Sequence, residues 1–207
     1  MINETFGVSY HSKYGAIQES RHVFIEAGLG MVLPTHSHIR LLEMGFGSGL
    51  NALLTLQLIN AMKGKTVFYE TVETHPIPPE QVKALNYPVT VDIPETQFYA
   101  LHEAPWNEPM VITPSFTLLK WLDSLQDAPL TGGYDLVYFD AFAPTSQPEL
   151  WEKPVFSKIF DHMAPGGVLV TYCAKGVVKR TLRDIGFTVE GIPGPPGKRE
   201  MTRAVKV

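Results

Sequence analysis

The chain has 207 residues, of which 44% are hydrophobic and 18% charged, with a formal net charge of −4. This composition excludes intrinsic disorder for the bulk of the chain and fits a single domain, since domains average roughly 100–200 residues. We expect an N-terminal β-rich extension over 1–38 and a core over 39–207. The one cysteine, Cys173, excludes an intramolecular disulfide.

The N-terminus has neither the basic nor the apolar segment of a signal peptide. No apolar stretch approaches the roughly 20 residues that a membrane span requires. We therefore expect a cytoplasmic protein without a membrane segment. Residues 174–207 carry a charge of +5 and the rest of the chain −9, which suggests a surface for a polyanion, although a solvated helix and hairpin would explain the charge as well.

Residues 1–38 are predicted to form a small β-hairpin that packs on the core. Arg21–Glu26 has the pattern of a strand, Gly28–Gly30 that of a turn, and Met31–Leu33 that of a second short apolar strand.

The core is predicted to alternate strands and helices. Strands are expected at 39–44, 66–73, 116–122, 134–140 and 168–173, and helices at 50–62, from Pro78 onward, at 152–163 and at 175–185. Residues 88–109 read as irregular, 116–122 also fits a helix, and 187–207 reads as two strands joined by a turn at 193–197. This order predicts an α/β fold with a mostly parallel sheet, helices on both faces and an antiparallel C-terminal hairpin.

Acidic residues follow four of the predicted strands: Glu43, Glu73, Asp123 and Asp140. Because ligands bind outside the carboxyl ends of parallel strands, these acids beside a glycine-rich loop predict a binding site. Asp123 is a candidate for the amino group of an adenine, and a helix N-cap would explain it nearly as well. Glu70 is expected on the opposite face from Glu73, because side chains alternate along a strand.

The glycine-rich loop has the spacing G-x-G-x-G, with Gly45, Gly47 and Gly49. Glycines there permit positive φ angles and a close approach of a ligand to the backbone. A carboxylate at Glu43 would repel a pyrophosphate but would attract the cationic amino group of a methionine-like moiety. This argues against a dinucleotide-dependent dehydrogenase.

Asp140 and the residues after it form a second motif, in which Phe142 and Pro144 follow the acid at once. This arrangement predicts a planar base that stacks on Phe142 beside the carboxylate; a capping Asp with Phe142 in the core is the alternative. The seven histidines show no metal-ligand spacing, so we expect no metal. Cys173 is interpreted as a packing residue.

Together, Glu43–Asn51, Asp140–Pro144, Pro148–Trp151, Ala164–Gly167 and Gly197–Met201 resemble the methyltransferase domain that completes 5-methylaminomethyl-2-thiouridine in tRNA, as do Glu19–Phe24 and Gly176–Arg180. The resemblance covers about nine tenths of the chain, in order. It implies a class I S-adenosylmethionine-dependent methyltransferase with a Rossmann-like fold. Many relatives also carry a flavin-dependent oxidase domain. Since the chain ends at Val207, we expect it to methylate a ready-made aminomethyl group of the wobble uridine.

The resemblance also implies roles for individual residues. Cofactor contacts would come from Glu43, Gly45, Phe46, Gly47, Gly49, Asn51, Glu73, Asp123 and Asp140. Asp140 would also be catalytic, holding the ammonium of the acceptor and then accepting its proton. Phe142 and Pro144 would contact the base, and Lys175, Lys179, Arg180, Lys198 and Arg199 the phosphates of the tRNA anticodon stem-loop.

Two other functions stay open. An N-methyltransferase or aminopropyltransferase for a small amine would share the fold and the acid at Asp140, although the basic C-terminal segment argues against it. A nucleotide-binding module without activity would be expected to lack Asp140 or the glycines, and both are present.

Overall fold

A computed structural model describes residues 15–207 of the protein and the backbone of two short strands nearer the N-terminus. The strands are β1 (Ile2–Asn3), β2 (Val8–Ser9), β3 (His38–Met44), β4 (Thr66–Glu73), β5 (Pro109–Thr113), β6 (Phe116–Leu122), β7 (Tyr134–Phe139), β8 (Met163–Thr171), β9 (Phe187–Pro193) and β10 (Glu200–Lys206). The α-helices are α1 (Ala16–Ser20), α2 (Gly30–Val32), α3 (Leu50–Asn60), α4 (Pro79–Lys83), α5 (Tyr87–Val91), α6 (Glu95–Glu103), α7 (Lys153–His162) and α8 (Gly176–Ile185). A π-helix (Arg21–Leu29) joins α1 to α2, and a 3₁₀ helix (Pro148–Trp151) precedes α7.

The main sheet has eight strands in the order β5-β6-β4-β3-β7-β8-β10-β9. The five strands from β6 to β8 are parallel to one another. Antiparallel strands flank them: β5 on one side and the β9–β10 hairpin on the other. The mostly parallel sheet and the C-terminal hairpin are therefore confirmed. The strand order reverses between β3 and β7, which is where such sheets bind ligands.

Side chains that alternate along the strands supply two separate cores. Leu41 and Leu136 pack against α3 to α6 and the helical segment 16–32 on one face. Their neighbours Leu42 and Val137 pack against α7 and α8 on the other. The predicted helices on both faces are thus confirmed. No helix among the described residues has the length and apolar character to cross a bilayer.

The predicted hairpin over 21–33 is wrong, because the segment is helical. We call α1, the π-helix and α2 together the N-terminal helix. Its buried residues recur at helical spacing, as with Phe24, Gly28 and Val32. Gly28 is no turn residue: a Cβ there would lie 2.8 Å from Cγ2 of Val170, so glycine lets the helix pack closely on the sheet. Near the N-terminus, the described antiparallel pair is β1 with β2, upstream of the predicted hairpin.

The prediction of an irregular segment over 88–109 is also wrong. The prolines that suggested it stand at helix starts, with Pro88 in the first turn of α5 and Pro94 just before α6. Proline is tolerated there because the first turn of a helix has no intrahelical acceptor for its N–H groups. Phe98 and Leu101 of α6 are fully buried, so core packing stabilises this helix.

Strand β8 is longer than expected at its start. The segment 164–167, which was predicted to connect α7 to the strand, lies within β8 as an irregularity in its pairing with β7. Cys173 follows the strand and is 5% exposed, which agrees with a packing residue.

Candidate functional site

A cavity of about 430 Å³ opens at the carboxyl ends of β3, β4 and β7. It lies at the point where the strand order reverses. Its walls are formed by Ala16, Glu19, Ser20, Phe24, Met44, Gly45, Phe46, Gly47, Ser48, Leu50, Asn51, Glu73, Thr74, His75, Tyr87, Asp140, Ala141, Phe142, Ala143, Gln147, Tyr172 and Lys198. This volume is in the range of sites for cofactor-sized ligands.

The glycine-rich loop forms one wall of the cavity. Gly45, Gly47 and Gly49 have φ angles of 86°, 49° and 70°, in the region that favours glycine. A Cβ at Gly49 would also lie 2.9 Å from Nε2 of His102, so a larger residue would meet a second obstacle there. The loop leads directly into α3, whose first N–H groups have no acceptors within the helix.

Glu73 fixes the glycine loop to the end of β4. Its Oε2 accepts a hydrogen bond from the Gly47 N–H (3.0 Å) and its Oε1 one from the His75 N–H (2.8 Å). Each carboxylate oxygen retains acceptor capacity beside these bonds. The carboxylate is therefore held in place at the cavity wall, as a ligand with two neighbouring hydroxyls would require. Glu70 lies on the opposite face, as predicted, where it accepts hydrogen bonds from Trp121 and Thr131.

Asp140 lies just beyond β7 and is exposed to the cavity. The Asn51 side chain donates a hydrogen bond from Nδ2 to its Oδ2 (2.9 Å). The side chain of Asp140 is open to the cavity, but the surrounding protein limits the solvation of its carboxyl group. This position raises its pKa to about 7, against the lowering by Asn51; the charge of Glu19 raises the pKa further and that of Lys198 lowers it.

Glu43 lies beneath the cavity and does not form part of its wall. The residue is 1% exposed, and its Oε2 has no hydrogen-bond partner among the described residues. Burial, followed by the charge of Asp140, raises its pKa well above the ordinary value, whereas the neighbouring polar groups of Asn51, Tyr69 and Thr71 lower it. Glu43 therefore lies behind the cavity wall, close to Asn51 and Asp140. Its contact with a cofactor stays a prediction.

A second wall comes from the N-terminal helix and from the loop between β9 and β10. Glu19 of the helix forms an ion pair with Lys198 of the loop, and the Lys198 ammonium stands 4.3 Å from the ring centroid of Tyr172. Tyr172 in turn donates a hydrogen bond to the carbonyl oxygen of Ala141 (2.8 Å). Phe142, which follows Ala141 in the chain, also lines the cavity.

Three predicted site residues lie elsewhere. Asp123 is not part of the cavity wall. Its Oδ1 accepts a hydrogen bond from the N–H of Ser124 (2.7 Å), which is typical of a local turn. Pro144 is likewise absent from the wall. Lys179 is 9% exposed and forms an ion pair with Glu200 (2.6 Å), so its charge is balanced by a partner in the same chain.

The other predicted basic residues are at the surface. Lys175, Arg180, Lys198 and Arg199 are all exposed. Lys198 alone among these four reaches the cavity. Some of the basic residues in the C-terminal segment therefore form ion pairs, and others are exposed at the surface.

Sequence reasoning missed the contribution of the N-terminal helix to the cavity. Ala16, Glu19, Ser20 and Phe24 occupy positions i, i+3, i+4 and i+8, which is the spacing of one helix face. It also missed Lys120, which is 1% exposed and donates hydrogen bonds to the carbonyl oxygens of Leu101 (3.0 Å) and His102 (2.7 Å) behind the loop. Within residues 15–207, no group of three His, Cys, Asp or Glu side chains is placed to hold a metal ion.

The chain is similar to known methyltransferases. A family model of S-adenosyl-L-methionine-dependent methyltransferases matches residues 119–207. The tRNA 5-methylaminomethyl-2-thiouridine biosynthesis bifunctional protein MnmC of Aromatoleum aromaticum is 32% identical over 211 residues, which cover 96% of this chain and 32% of that protein. MnmC of Cupriavidus necator is 32% identical over 94% of this chain and 31% of its own. The chain thus spans about a third of the length of these curated relatives.

Solved structures agree with the sequence comparison. The crystal structure of MnmC2 from Aquifex aeolicus has a TM-score of 0.77 and 26% identity, covering 98% of this chain and 65% of that one. Magnesium protoporphyrin IX methyltransferase from Synechocystis PCC 6803 has a TM-score of 0.53 and 11% identity over 93% of this chain and 84% of its own, which shows the fold alone. The class I methyltransferase fold and the resemblance stated above are confirmed.

The cavity fits S-adenosylmethionine, the cofactor of this class of enzyme. The glycine loop would bind the methionine part of the cofactor. Side chains in place of the glycines would fill the space that this ligand needs. Glu73 would accept hydrogen bonds from ribose hydroxyls, and Asn51 and Asp140 border the adjoining space. When bound, the cofactor supplies an electrophilic methyl group.

Proposed function

We propose that the chain is an S-adenosylmethionine-dependent methyltransferase and that it methylates the 5-aminomethyl group of a wobble uridine in tRNA. The product is the 5-methylaminomethyl group that the names of its MnmC relatives contain. The proposal includes the anticodon stem-loop as the part of tRNA bound and the cytoplasm as the compartment. It does not require a second activity in the same chain.

The observation that carries the proposal is the placement of Asp140. This carboxyl faces the cavity at the end of β7, next to the residues that fit the cofactor. It accepts a hydrogen bond from an uncharged donor, Asn51. The nearby charge of Glu19 is paired with Lys198, so Asp140 is the carboxylate at this wall that has no cationic partner in an ion pair among the described residues. Such a site suits an acceptor that arrives as a cation.

The chemistry of the acceptor explains why a carboxylate is needed. A primary alkyl amine has a pKa near that of lysine, about 10, and arrives mostly protonated. Asp140 binds the ammonium, and accepts or relays one proton so that the nitrogen lone pair becomes a nucleophile. Since the recessed position raises the pKa of Asp140 to about 7, the group exchanges protons near neutral pH. Correct positioning of the amine supplies much of the remaining acceleration.

The surface around the cavity supports a nucleic-acid substrate. Phe142 lines the cavity beside Asp140 and offers an aromatic surface to a base. Lys175, Arg180 and Arg199 are exposed, and their charges would attract phosphates in a salt-dependent way. A small free amine would need neither the aromatic surface nor these cations.

The test is transfer of a labelled methyl group from S-adenosylmethionine. The substrates are tRNA that carries the 5-aminomethyl wobble uridine and the same tRNA without that group. Asp140→Asn is compared with Asp161→Asn, the same change at an exposed position of α7. We expect label only in the modified tRNA, a loss of at least about 100-fold in rate for Asp140→Asn, and unchanged transfer for Asp161→Asn.

Two results would contradict the proposal. Equal labelling of both tRNAs would place the methyl group elsewhere, and no labelling of either tRNA despite cofactor binding would remove tRNA as the substrate. In the second case small primary amines are the next acceptors to assay, because the carboxylate of Asp140 suits them equally.

A further inference from the structure

The side-chain amide of Asn51 connects two polar side chains at the base of the cavity and lies near a third, Glu43. Its Nδ2 donates to Oδ2 of Asp140 (2.9 Å), and the same amide lowers the pKa of the buried Glu43 carboxyl. Its oxygen accepts a hydrogen bond from the hydroxyl of Ser20 on the N-terminal helix. Ser20 and Asn51 are both 5% exposed, so water contributes little to these bonds.

An amide in this position has two orientations, which differ by a half-turn about its terminal bond. In one, the NH₂ group faces Asp140 and Glu43 and stabilises their ionised forms. In the other, the carbonyl oxygen faces the same carboxyls, and two acceptors oppose each other. A hydroxyl beside the amide on its other side favours the first orientation when it donates to the oxygen.

We propose that Ser20 is a positioning residue, which orients the Asn51 amide so that its NH₂ group faces Asp140. This inference rests on the proposed function only for its effect on methyl transfer, because the hydrogen bonds exist in the chain itself. It gives the N-terminal helix a role in the reaction besides covering the cavity. A ligand does not have to be present for the orientation to be set.

The other charged and titratable groups around Asp140 set the background against which Ser20 acts. Glu43 faces it from β3, Glu19 from the N-terminal helix, Lys198 from the β9–β10 loop and Tyr172 from beyond β8. A substitution at Ser20 leaves all four of these side chains in the protein. A shift in the titration of Asp140 after such a change would therefore report on the amide.

The first experiment titrates Asp140 directly, by the ¹³C shift of its carboxyl carbon in the protein without cofactor or tRNA. Ser20→Ala removes the donor, Ser20→Thr retains a hydroxyl, and Ser157→Ala repeats the change on α7, away from the cavity. We expect Ser20→Ala to raise the midpoint of Asp140 by about 0.5–1 pH unit, the effect of losing one hydrogen bond to the ionised form. Ser20→Thr should restore the wild-type midpoint, and Ser157→Ala should not change it.

The second experiment follows the pH dependence of methyl transfer in the same variants. The acid side of the profile should move with the carboxyl midpoint in Ser20→Ala, with a larger effect on kcat than on KM for tRNA. In an Asn51→Ala background, Ser20→Ala should add no further shift, since the two residues act through one amide. Circular dichroism checks that each variant is folded.

The outcomes separate this inference from the proposed function. An unchanged midpoint in folded Ser20→Ala overturns the role of Ser20, whatever the substrate is. A shifted midpoint together with no methyl transfer to tRNA in the wild type leaves the role of Ser20 standing and removes the proposed substrate. A shift that persists undiminished without Asn51 would also overturn the proposal.

Discussion

Gly28 and Gly30, two residues apart on the N-terminal helix, should respond in opposite ways to the same substitution. A Cβ at Gly28 would lie 2.8 Å from Val170 Cγ2 and 3.2 Å from a ring carbon of Tyr138. At Gly30 the nearest atom to a Cβ is a backbone oxygen at 3.5 Å, an ordinary contact. Gly30 is also exposed and has helical backbone angles.

The magnitudes follow from two opposing effects. Alanine favours a helix over glycine by about 0.5–1 kcal/mol. Overpacking a core contact costs about 1–3 kcal/mol. At Gly28 these two ranges leave a net cost of about 0–2.5 kcal/mol. Since the Cβ would lie only 2.8 Å from Val170, Gly28→Ala should lower the free energy of unfolding by about 1–2 kcal/mol, whereas Gly30→Ala should raise it by about 0.5–1 kcal/mol. For a chain of this size, each kcal/mol corresponds to a change in Tm of about 2–4 °C.

Urea denaturation followed by circular dichroism measures both changes, and the double variant tests their additivity. If the segment were the hairpin that the sequence suggested, with Gly28–Gly30 in its turn, alanine would be unfavourable at both positions. Destabilisation by Gly30→Ala would thus refute the helical reasoning, and a neutral Gly28→Ala would refute the close packing on the sheet.

Three further predictions concern the site. The folded-state pKa of Asp140 is raised to about 7, so ionisation of this carboxyl lowers the stability of the protein as the pH rises from about 4 to 7. Asp140→Asn should therefore have a higher Tm than wild type at pH 7.5. Scanning calorimetry should show this difference in Tm shrinking towards pH 4. Lys120→Met should leave the carbonyl oxygens that Lys120 binds without their donor and lower the free energy of unfolding by about 1–3 kcal/mol. It should also weaken cofactor binding, as measured by titration calorimetry. Unchanged binding would show that the glycine loop does not depend on Lys120. Lys175→Ala should reduce the slope of log K against log salt concentration for tRNA binding by about one. Lys179→Ala should leave this slope unchanged and lower the stability of the protein instead. The reverse pattern would contradict the assignment of Lys179 to its ion pair.

The sheet could be predicted because its strands are short apolar runs that end in glycines or acids. A strand such as β7 is buried on both faces, so nearly every residue in it is apolar and the boundary at Asp140 is sharp. The order of strands and helices then fixes which ends of the strands meet. That is why Glu73 and Asp140 could be placed at one site from the sequence.

The N-terminal helix could not be predicted in the same way, since local signals there contradict the tertiary structure. Glycines at 28 and 30 are turn residues by composition, and the requirement for glycine at Gly28 comes from the distant side chain of Val170. The positions of Lys179 and Asp123, both outside the cavity wall, could not be predicted for a related reason. Whether a charge faces solvent, a ligand or a partner such as Glu200 depends on packing between segments that are far apart in the chain.

The pair formed by Glu19 and Lys198 joins residues that are 179 positions apart. Closing so long a loop has an entropic cost that local contacts do not offset until the intervening sheet exists. We therefore expect the wall that contains Glu19 and Lys198 to be completed late in folding, after the strands that carry the glycine loop and Asp140 have paired. A folding intermediate with a formed sheet would then have the glycine-loop wall of the cavity before it has this second wall.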